Sequence, residues 1–207
     1  ALGEDTLQHW QGGDGTWSAD SLQWLNQGGQ VPVAWAGNHA VFRHQPGDFT
    51  GGTVTVEGTQ SFRGLQFVDN GYVLQGDGQL RADAGDAEVR VLTGVSAGIA
   101  TSIAGDGGLT VTGGGTLVLT GSDANRYAGT TTVRGTTLEL ARDYGVTSVP
   151  GDLFIDGGTV NATRQNQIAR DAVVTLANGG RFTINQWQSI AGLNAAEGGG
   201  TVTLNYD

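Results

Sequence analysis

Apolar and polar residues alternate along this chain in short runs, and glycine separates the runs. Segments 51–58 (GGTVTVEG), 107–121 (GGLTVTGGGTLVLTG), 129–141 (GTTTVRGTTLELA), 151–162 (GDLFIDGGTVNA), 171–184 (DAVVTLANGGRFTI) and 198–207 (GGGTVTLNYD) all have this form. Val54 and Val56 alternate with Thr53 and Thr55, Leu117 and Leu119 flank Val118, and Leu138 and Leu140 flank Glu139. A period of two sends successive side chains to opposite faces, so each run predicts a strand with one buried and one wet face. Between Gly113 and Leu140 three such runs follow one another with nothing of helical period.

The runs recur at close to twenty residues, with Gly114, Thr131, Gly151, Val173 and Gly199 marking successive units. A fixed period of about 20–50 residues is the signature of a solenoid, a propeller or an array. A propeller blade needs four antiparallel strands and a longer repeat, and leucine-rich repeats need fixed leucines with an asparagine ladder. Neither pattern is present. A parallel β-helix needs coils of about this length, each split into short strands that pair with the coil below at about 4.8 Å. The predicted fold is therefore all-β, a β-solenoid with Thr, Val and Leu on its sides and glycine at its corners.

Residues 1–50 depart from this pattern. They hold Trp10, Trp17, Trp24 and Trp35 out of five tryptophans, with His9, His39, His44 and two of the three prolines. Residues 18–29 (SADSLQWLNQGG) fit one helical turn with Ser18 as cap and Gly28 as stop, and 12–18 (GGDGTWS) reads as a turn into a strand. The expected organisation is a Trp-rich set of irregular rungs or a cap over 1–50, followed by one continuous run of rungs over 51–207.

Composition narrows the function classes. Glycine accounts for 37 residues against 3 prolines, which removes collagen and proline-rich linkers from consideration. There is no cysteine, hence no disulfide framework and no thiolate metal site. Net charge is −10, from 20 acidic residues against 10 arginines and no lysine. Phosphate contacts need clustered basic groups, so nucleic acid and anionic membrane surfaces are poor partners. The dispersed acidity fits the solubility of a long exposed surface. No apolar run reaches the length of a membrane helix. Methionine is absent even at position 1, and 201–207 (TVTLNYD) stops inside a strand pattern, so a piece of a longer chain is expected.

Segment 107–140 resembles the passenger-associated β-strand repeat of bacterial autotransporters, the type V secretion family. The matching elements are Gly115, Thr116, Leu117, Leu119, Thr120 and Gly121, then a loop with Asn125 and Tyr127, then Gly129, Thr130, Thr132 and Val133, then Gly135, Thr137 and Leu138. Thr136 stands where the family often has glycine, and Arg126 is extra within the loop. Segments 10–24, 34–42 and 64–80 resemble the Trp-rich opening of the family's repeat units, and 174–204 its later rungs. The resemblance implies a right-handed parallel β-helix exported through a C-terminal β-barrel. No run of alternating strands with aromatic girdles is found in these residues, so a passenger fragment is expected. It implies a Gram-negative cell-surface or secreted location and a non-enzymatic adhesin or rigid display stalk. The implied partners are a host or neighbouring-cell surface protein or a glycan, with self-association as a further option.

The Asp20-Ser21-Leu22 stretch lacks the preceding glycine of an esterase motif, 121–125 (GSDAN) is no protease motif, and no Gly-x-Ser-x-Gly elbow occurs. His9, His39 and His44 lie outside the regular rungs with no partner spacing that supports a triad. Asp77, Asp83, Asp86 and Glu88 are the candidate paired carboxylates of a carbohydrate-active β-helix, the alternative function; one rung apart, two of them come within the 5–9.5 Å such chemistry needs. The competing reading, which takes precedence, is that these aspartates make turns by bonding their own backbone. No calcium-binding nonapeptide or EF-hand loop is present. Arg-Gly-Asp is absent, and Asn161-Ala162-Thr163 is an acceptor only in a glycosylating secretory pathway. The tryptophans either stack on sugar rings or pack a wide core, and burial is favoured. Asp123–Tyr127 is a loop longer than a corner needs, with a structural role favoured. No catalytic, cofactor-binding or metal-binding residue is assigned, and the ligand-binding residues are left open.

Overall fold

The computed structural model describes residues 7–47, 50–82 and 85–206. Among them every regular element is a strand and none is a helix. The strands form three long sheets. The first carries eleven strands, from Gly192–Ala195 at one end through Leu109–Thr112 to Leu7–Trp10, Trp24–Leu25 and Pro32–Val33 at the other. The second carries nine, from Gly15–Trp17 to Gly200–Leu204. The third carries four: Thr59–Phe62, Gln79–Ala82, Ser102–Gly105 and Arg126–Tyr127.

The chain visits the sheets in turn, so that outside Trp24–Leu25 and Pro32–Val33 each strand pairs in parallel with its counterpart one coil away. Val89 lies beside Val111, Val111 beside Val133 and Val133 beside Ile155, a step of 22 residues each time. The second sheet behaves alike, with Ile99, Leu119, Leu140 and Ala162 in one column. The molecule is a parallel β-solenoid of about seven turns. The spacing markers mix two sheets: Thr131 and Val173 start strands of the first, while Gly114 and Gly199 precede strands of the second.

The alternation becomes the core. Leu117 and Leu119 are buried while Thr116 and Val118 are part-exposed, and Leu138 and Leu140 are buried while Glu139 is part-exposed. Like residues stack on like, so each buried Val, Leu or Ile contributes roughly 1.5–3 kcal/mol without any globular centre. At the corners the backbone turns more sharply than a side chain tolerates. Gly113 has φ +106°, and a Cβ placed there would sit 2.2 Å from the Val91 carbonyl oxygen. Of the aspartates read as turn residues, Asp86 reaches along the axis to the next coil, and Asp14 and Asp152 do the same. Asp14 Oδ1 accepts from Thr53 N at 2.7 Å, Asp86 Oδ1 from Gly108 N at 2.6 Å, and Asp152 Oδ1 from Val173 N at 2.8 Å. Asn70 Oδ1 does the same for Ser96 N at 2.7 Å. An Asx side chain spans one coil step of about 4.8 Å, which is why turn residues here also tie turns together.

At the start of the described chain, Leu7–Trp10 and Gly15–Trp17 pair in parallel with His39–Phe42 and Gly52–Val56 as a coil would. Beyond Leu7–Trp10, Trp24–Leu25 and then Pro32–Val33 add in antiparallel register. The helical turn expected over 18–29 does not form. Trp24 is drawn into the core edge-on to Trp10 and Trp17, at ring-centroid distances of 5.2 and 4.8 Å. Gln23 Oε1 takes the Thr16 amide, and Asn26 Oδ1 takes the amides of Gln30 and Val31. Tertiary packing of one tryptophan outweighs a weak local helical preference.

Candidate functional site

Among the described residues, the carboxylates singled out from the sequence are not gathered into one group. Asp77 lies in the turn between Tyr72–Gln75 and Gln79–Ala82, on one side of the third sheet. Asp86 lies on the other side, ahead of Ala87–Val91, and is committed to Gly108 N. Glu88 projects from the first sheet and accepts from the Thr112 hydroxyl at 2.6 Å. Asp83 lies outside the described residues. Ser21 accepts from Gln23 N and donates to Gln23 Oε1, with no histidine beside it. His9 bonds the Gln27 carbonyl, and His44 bonds the Asn70 carbonyl and faces Asp69. His39 lines a notch with Glu88 and Arg90 of about 110 Å³, below the size of an ordinary ligand pocket. An open depression of about 360 Å³ over Gly98 is lined by Val73 and Val118 without carboxylate, imidazole or cation. Among the described residues no three His, Asp or Glu come together as a metal-binding group.

The tryptophans of 1–50 are core. Trp10, Trp17 and Trp24 are fully buried, with Trp35 packed against them, and Phe42 stacks on Phe67 at 4.9 Å. Trp10, Trp17 and Trp24 offer no face to a ligand, and Trp35 is half-buried.

The loop Asp123–Tyr127 is the entry to a buried polar column that sequence reading missed. Asn125 is 2% exposed. Its Oδ1 accepts from Ile103 N at 3.0 Å and Arg142 Nη2 at 2.6 Å, and its Nδ2 donates to the Ser148 carbonyl at 2.9 Å. Arg142 is fully buried, and its guanidinium donates to the carbonyls of Ala100, Thr101 and Thr120. Burial pulls its pKa down to about 10, against the raising influence of Tyr127 and Asp123. Tyr127, buried and bonded to the Thr131 hydroxyl at 2.6 Å, is pushed up to about 12 by the same loss of water. One and two coils on, Gln167 Nε2 donates to the carbonyls of Arg142, Asp143 and Gln165, and Gln188 Nε2 to those of Arg164 and Gln186. Gln167 N in turn donates to Gln188 Oε1 at 2.7 Å. The third sheet ends at Arg126–Tyr127, and from there the third side is held by side-chain amides together with scattered backbone bonds such as Ser148 N and Val149 N to the Gln167 carbonyl and the bridge of Val149 with Ile168.

That column braces a corner which turns aromatic side chains outward. Tyr144 is 67% exposed, Trp187 45% and Tyr206 44%. They follow Leu140, Ile184 and Leu204, which share one column with Ala162, and Arg164 stands exposed at the coil between. Backbone bonds from Gly145 N to the Gln165 carbonyl and from Asn166 N to the Trp187 carbonyl tie the successive corners together. The Gln167 and Gln188 amides clamp carbonyls next to Tyr144, Arg164 and Trp187, so the exposed residues sit on fixed backbone. Only one signal in the sequence points here: aromatic residues recurring two to four positions after the last strand residue of the second sheet.

Comparison with known proteins supplies context. No family profile matches the chain, and no solved structure matches it. The chain is 32% identical over 181 residues to the adhesin BmaC autotransporter of Brucella suis biovar 1 (strain 1330). That alignment covers 81% of this chain and 5% of that much longer protein.

Proposed function

We propose that this chain, which belongs to the autotransporter family, is a stretch of a cell-surface passenger that acts in adhesion as a rigid, non-enzymatic solenoid. The observation that carries this reading is the pairing of a continuous parallel coil with an autotransporter adhesin as relative. Each coil adds about 4.8 Å to the length, and neighbour-to-neighbour ladders keep the column stiff. A stiff column sets corner loops away from the bilayer, and loops on a rigid scaffold are where binding usually sits. In this reading residues 1–50 are Trp-rich irregular rungs or a cap and 51–207 the regular rungs. The whole passenger reaches the surface of a Gram-negative cell through a β-barrel carried elsewhere in the full-length protein, and its partner is a surface protein or glycan of another cell. The scattered positions of Asp77, Asp86 and Glu88 give no support to glycan cleavage.

The test is display of the segment on a non-adherent bacterial strain. Protease treatment of intact cells should remove it, and displaying cells should adhere to epithelial monolayers or to one another above the empty carrier. Deletion of one whole coil, residues 131–152, separates the roles: a stalk tolerates the deletion, whereas an adhesive segment loses binding. Adherence no higher than the carrier's would refute the reading.

A further inference from the structure

We propose that Asn70-Gly71 is a self-modification site, where the chain converts its own asparagine to aspartate and isoaspartate with water as co-reactant and His44 as the activating neighbour. The sequence holds two Asn-Gly pairs, Asn70-Gly71 and Asn178-Gly179. In such a pair the glycine nitrogen attacks the asparagine Cγ, and no side chain on the glycine blocks the approach. Both reacting atoms are held close by the chain itself, so the attack is intramolecular and needs no enzyme. The nitrogen's proton passes to water, the Nδ2 group takes up a proton and leaves as ammonia, and a succinimide remains. Water then opens that ring at either carbonyl, giving aspartate or isoaspartate, and nothing is oxidised or reduced.

The two pairs sit in different surroundings. Asn70 and Gly71 are both exposed to water, at the corner between Gly64–Phe67 and Tyr72–Gln75. His44 Nε2 lies 3.2 Å from the Asn70 carbonyl oxygen, which can only accept, so Nε2 carries a proton and donates it. A donor on that oxygen draws electron density out of the Asn70-Gly71 amide and makes its N–H easier to ionise. Asp69 holds the histidine in place, its Oδ2 accepting from His44 N at 2.6 Å. On the side chain, Ser96 N donates at 2.7 Å to Asn70 Oδ1, the oxygen that gains negative charge as the nitrogen attacks. The attacking nitrogen itself is weakly held, since Gly71 N meets the Ser96 carbonyl only at 3.4 Å. At Asn178 the same atoms are restrained. Gly179 N donates to the Gly199 carbonyl at 2.9 Å and to the Gly198 carbonyl at 3.2 Å. Asn178 Nδ2 donates to Asp156 Oδ1 at 2.6 Å, and a carboxylate beside the amide opposes its ionisation. The products at residue 70 differ in their effect on the coil. Aspartate keeps an oxygen for Ser96 N, whereas isoaspartate adds a methylene to the main chain of the corner and draws that oxygen away from the next coil.

The experiment ages the whole chain in mildly alkaline buffer at body temperature and samples it over weeks. Peptide mapping by mass spectrometry follows the amide-to-acid change at residues 70 and 178, and electron-transfer fragmentation separates isoaspartate from aspartate. In the folded protein Asn70 should convert roughly fivefold faster than Asn178 or more, the rate worth of one ordinary hydrogen bond. In denaturant the two pairs should convert at similar rates. His44→Ala should slow Asn70 by roughly fivefold, whereas a histidine that only braced the corner would, once removed, free the loop and speed the reaction. Circular dichroism checks that the variant is folded, and the ranking of the two sites in the parent needs no variant at all. Asn70 retained as the amide, Asn178 converting as fast or faster in the folded protein, or a folded His44→Ala variant converting at the parent's rate or above would each overturn the proposal.

Discussion

Replacing Asn125 by alanine is expected to loosen three coils at once. The side chain accepts from Ile103 N and Arg142 Nη2 and donates to the Ser148 carbonyl, all inside the molecule. Each buried group stripped of its partner costs about 1–3 kcal/mol. Arg142 Nη2 keeps the Thr101 carbonyl, so its share is the smallest and the total is about 3 kcal/mol. For a chain of this size that lowers the melting temperature by roughly 6–12 °C. Coil arrays need not unfold in one step, so the melt should be joined by amide exchange, with protection falling first at Ile103 and across the 142–148 corner. Asn125→Asp is the informative partner variant. It keeps the one oxygen that accepts from both Ile103 N and Arg142 Nη2 and faces Arg142 with a carboxylate, while its second oxygen replaces the Nδ2 donor against the Ser148 carbonyl; the Arg142 pairing outweighs that contact, so it should lose less than Asn125→Ala. An alanine variant that melts within 2 °C of the parent, or is less damaging than the aspartate variant, would refute the claim that this column holds the third side of the coils.

Gly113→Ala should destabilise the chain by about 2 kcal/mol or more, read from thermal melts, because its φ of +106° and the Val91 carbonyl both exclude a Cβ. His9 should make stability depend on pH. Burial lowers its pKa below 6.5, opposed by the Gln27 carbonyl bond and aided by the Arg43 cation. The folded state therefore favours the neutral ring: the stabilisation is present above pH 6.5 and is lost as pH falls below it. Melting temperatures between pH 7.5 and 5 should fall more steeply for the parent than for His9→Gln, and identical slopes would dismiss this role for His9.

The sides of the coil were legible because each strand there has one wet face. Thr116–Leu119 and Thr137–Leu140 show a period of two, and burial follows it residue for residue. The third side was harder to read. Ser102–Gly105 is buried at all four positions and has no alternation, while Thr59–Phe62 and Gln79–Ala82 alternate in burial but turn Gln60 and Ala82 inward, so their apolar face is weak. Past Arg126–Tyr127 the same side is built from Arg142, Gln167 and Gln188, whose residue types ordinarily signal surface. Arg142 and Gln167 are buried and Gln188 half-buried against carbonyls 22 to 42 residues away, which local pattern does not contain. Asp86 was recognised as a turn residue, yet its bond crosses to the next coil. The four early tryptophans read as core from the sequence, and Trp10, Trp17 and Trp24 are fully buried. Tyr144, Trp187 and Tyr206 share a corner that appears only when the second-sheet strands are laid in register.

Stacking of coils in register predicts distances that no other all-β arrangement of this sequence would produce, and the cysteine-free chain allows clean paired spin labels. Thr116, Thr137, Thr159, Arg181 and Thr201 form one outward column, and Thr53 and Thr203 end a second column seven steps long. Double electron–electron resonance on cysteine pairs at 116/201, 96/201 and 53/203 should give about 19, 24 and 34 Å, before label linkers, at about 4.8 Å per coil. A linear rise with coil number is the predicted result. Distances that level off, as two facing antiparallel layers or a ring of blades would produce, would contradict it.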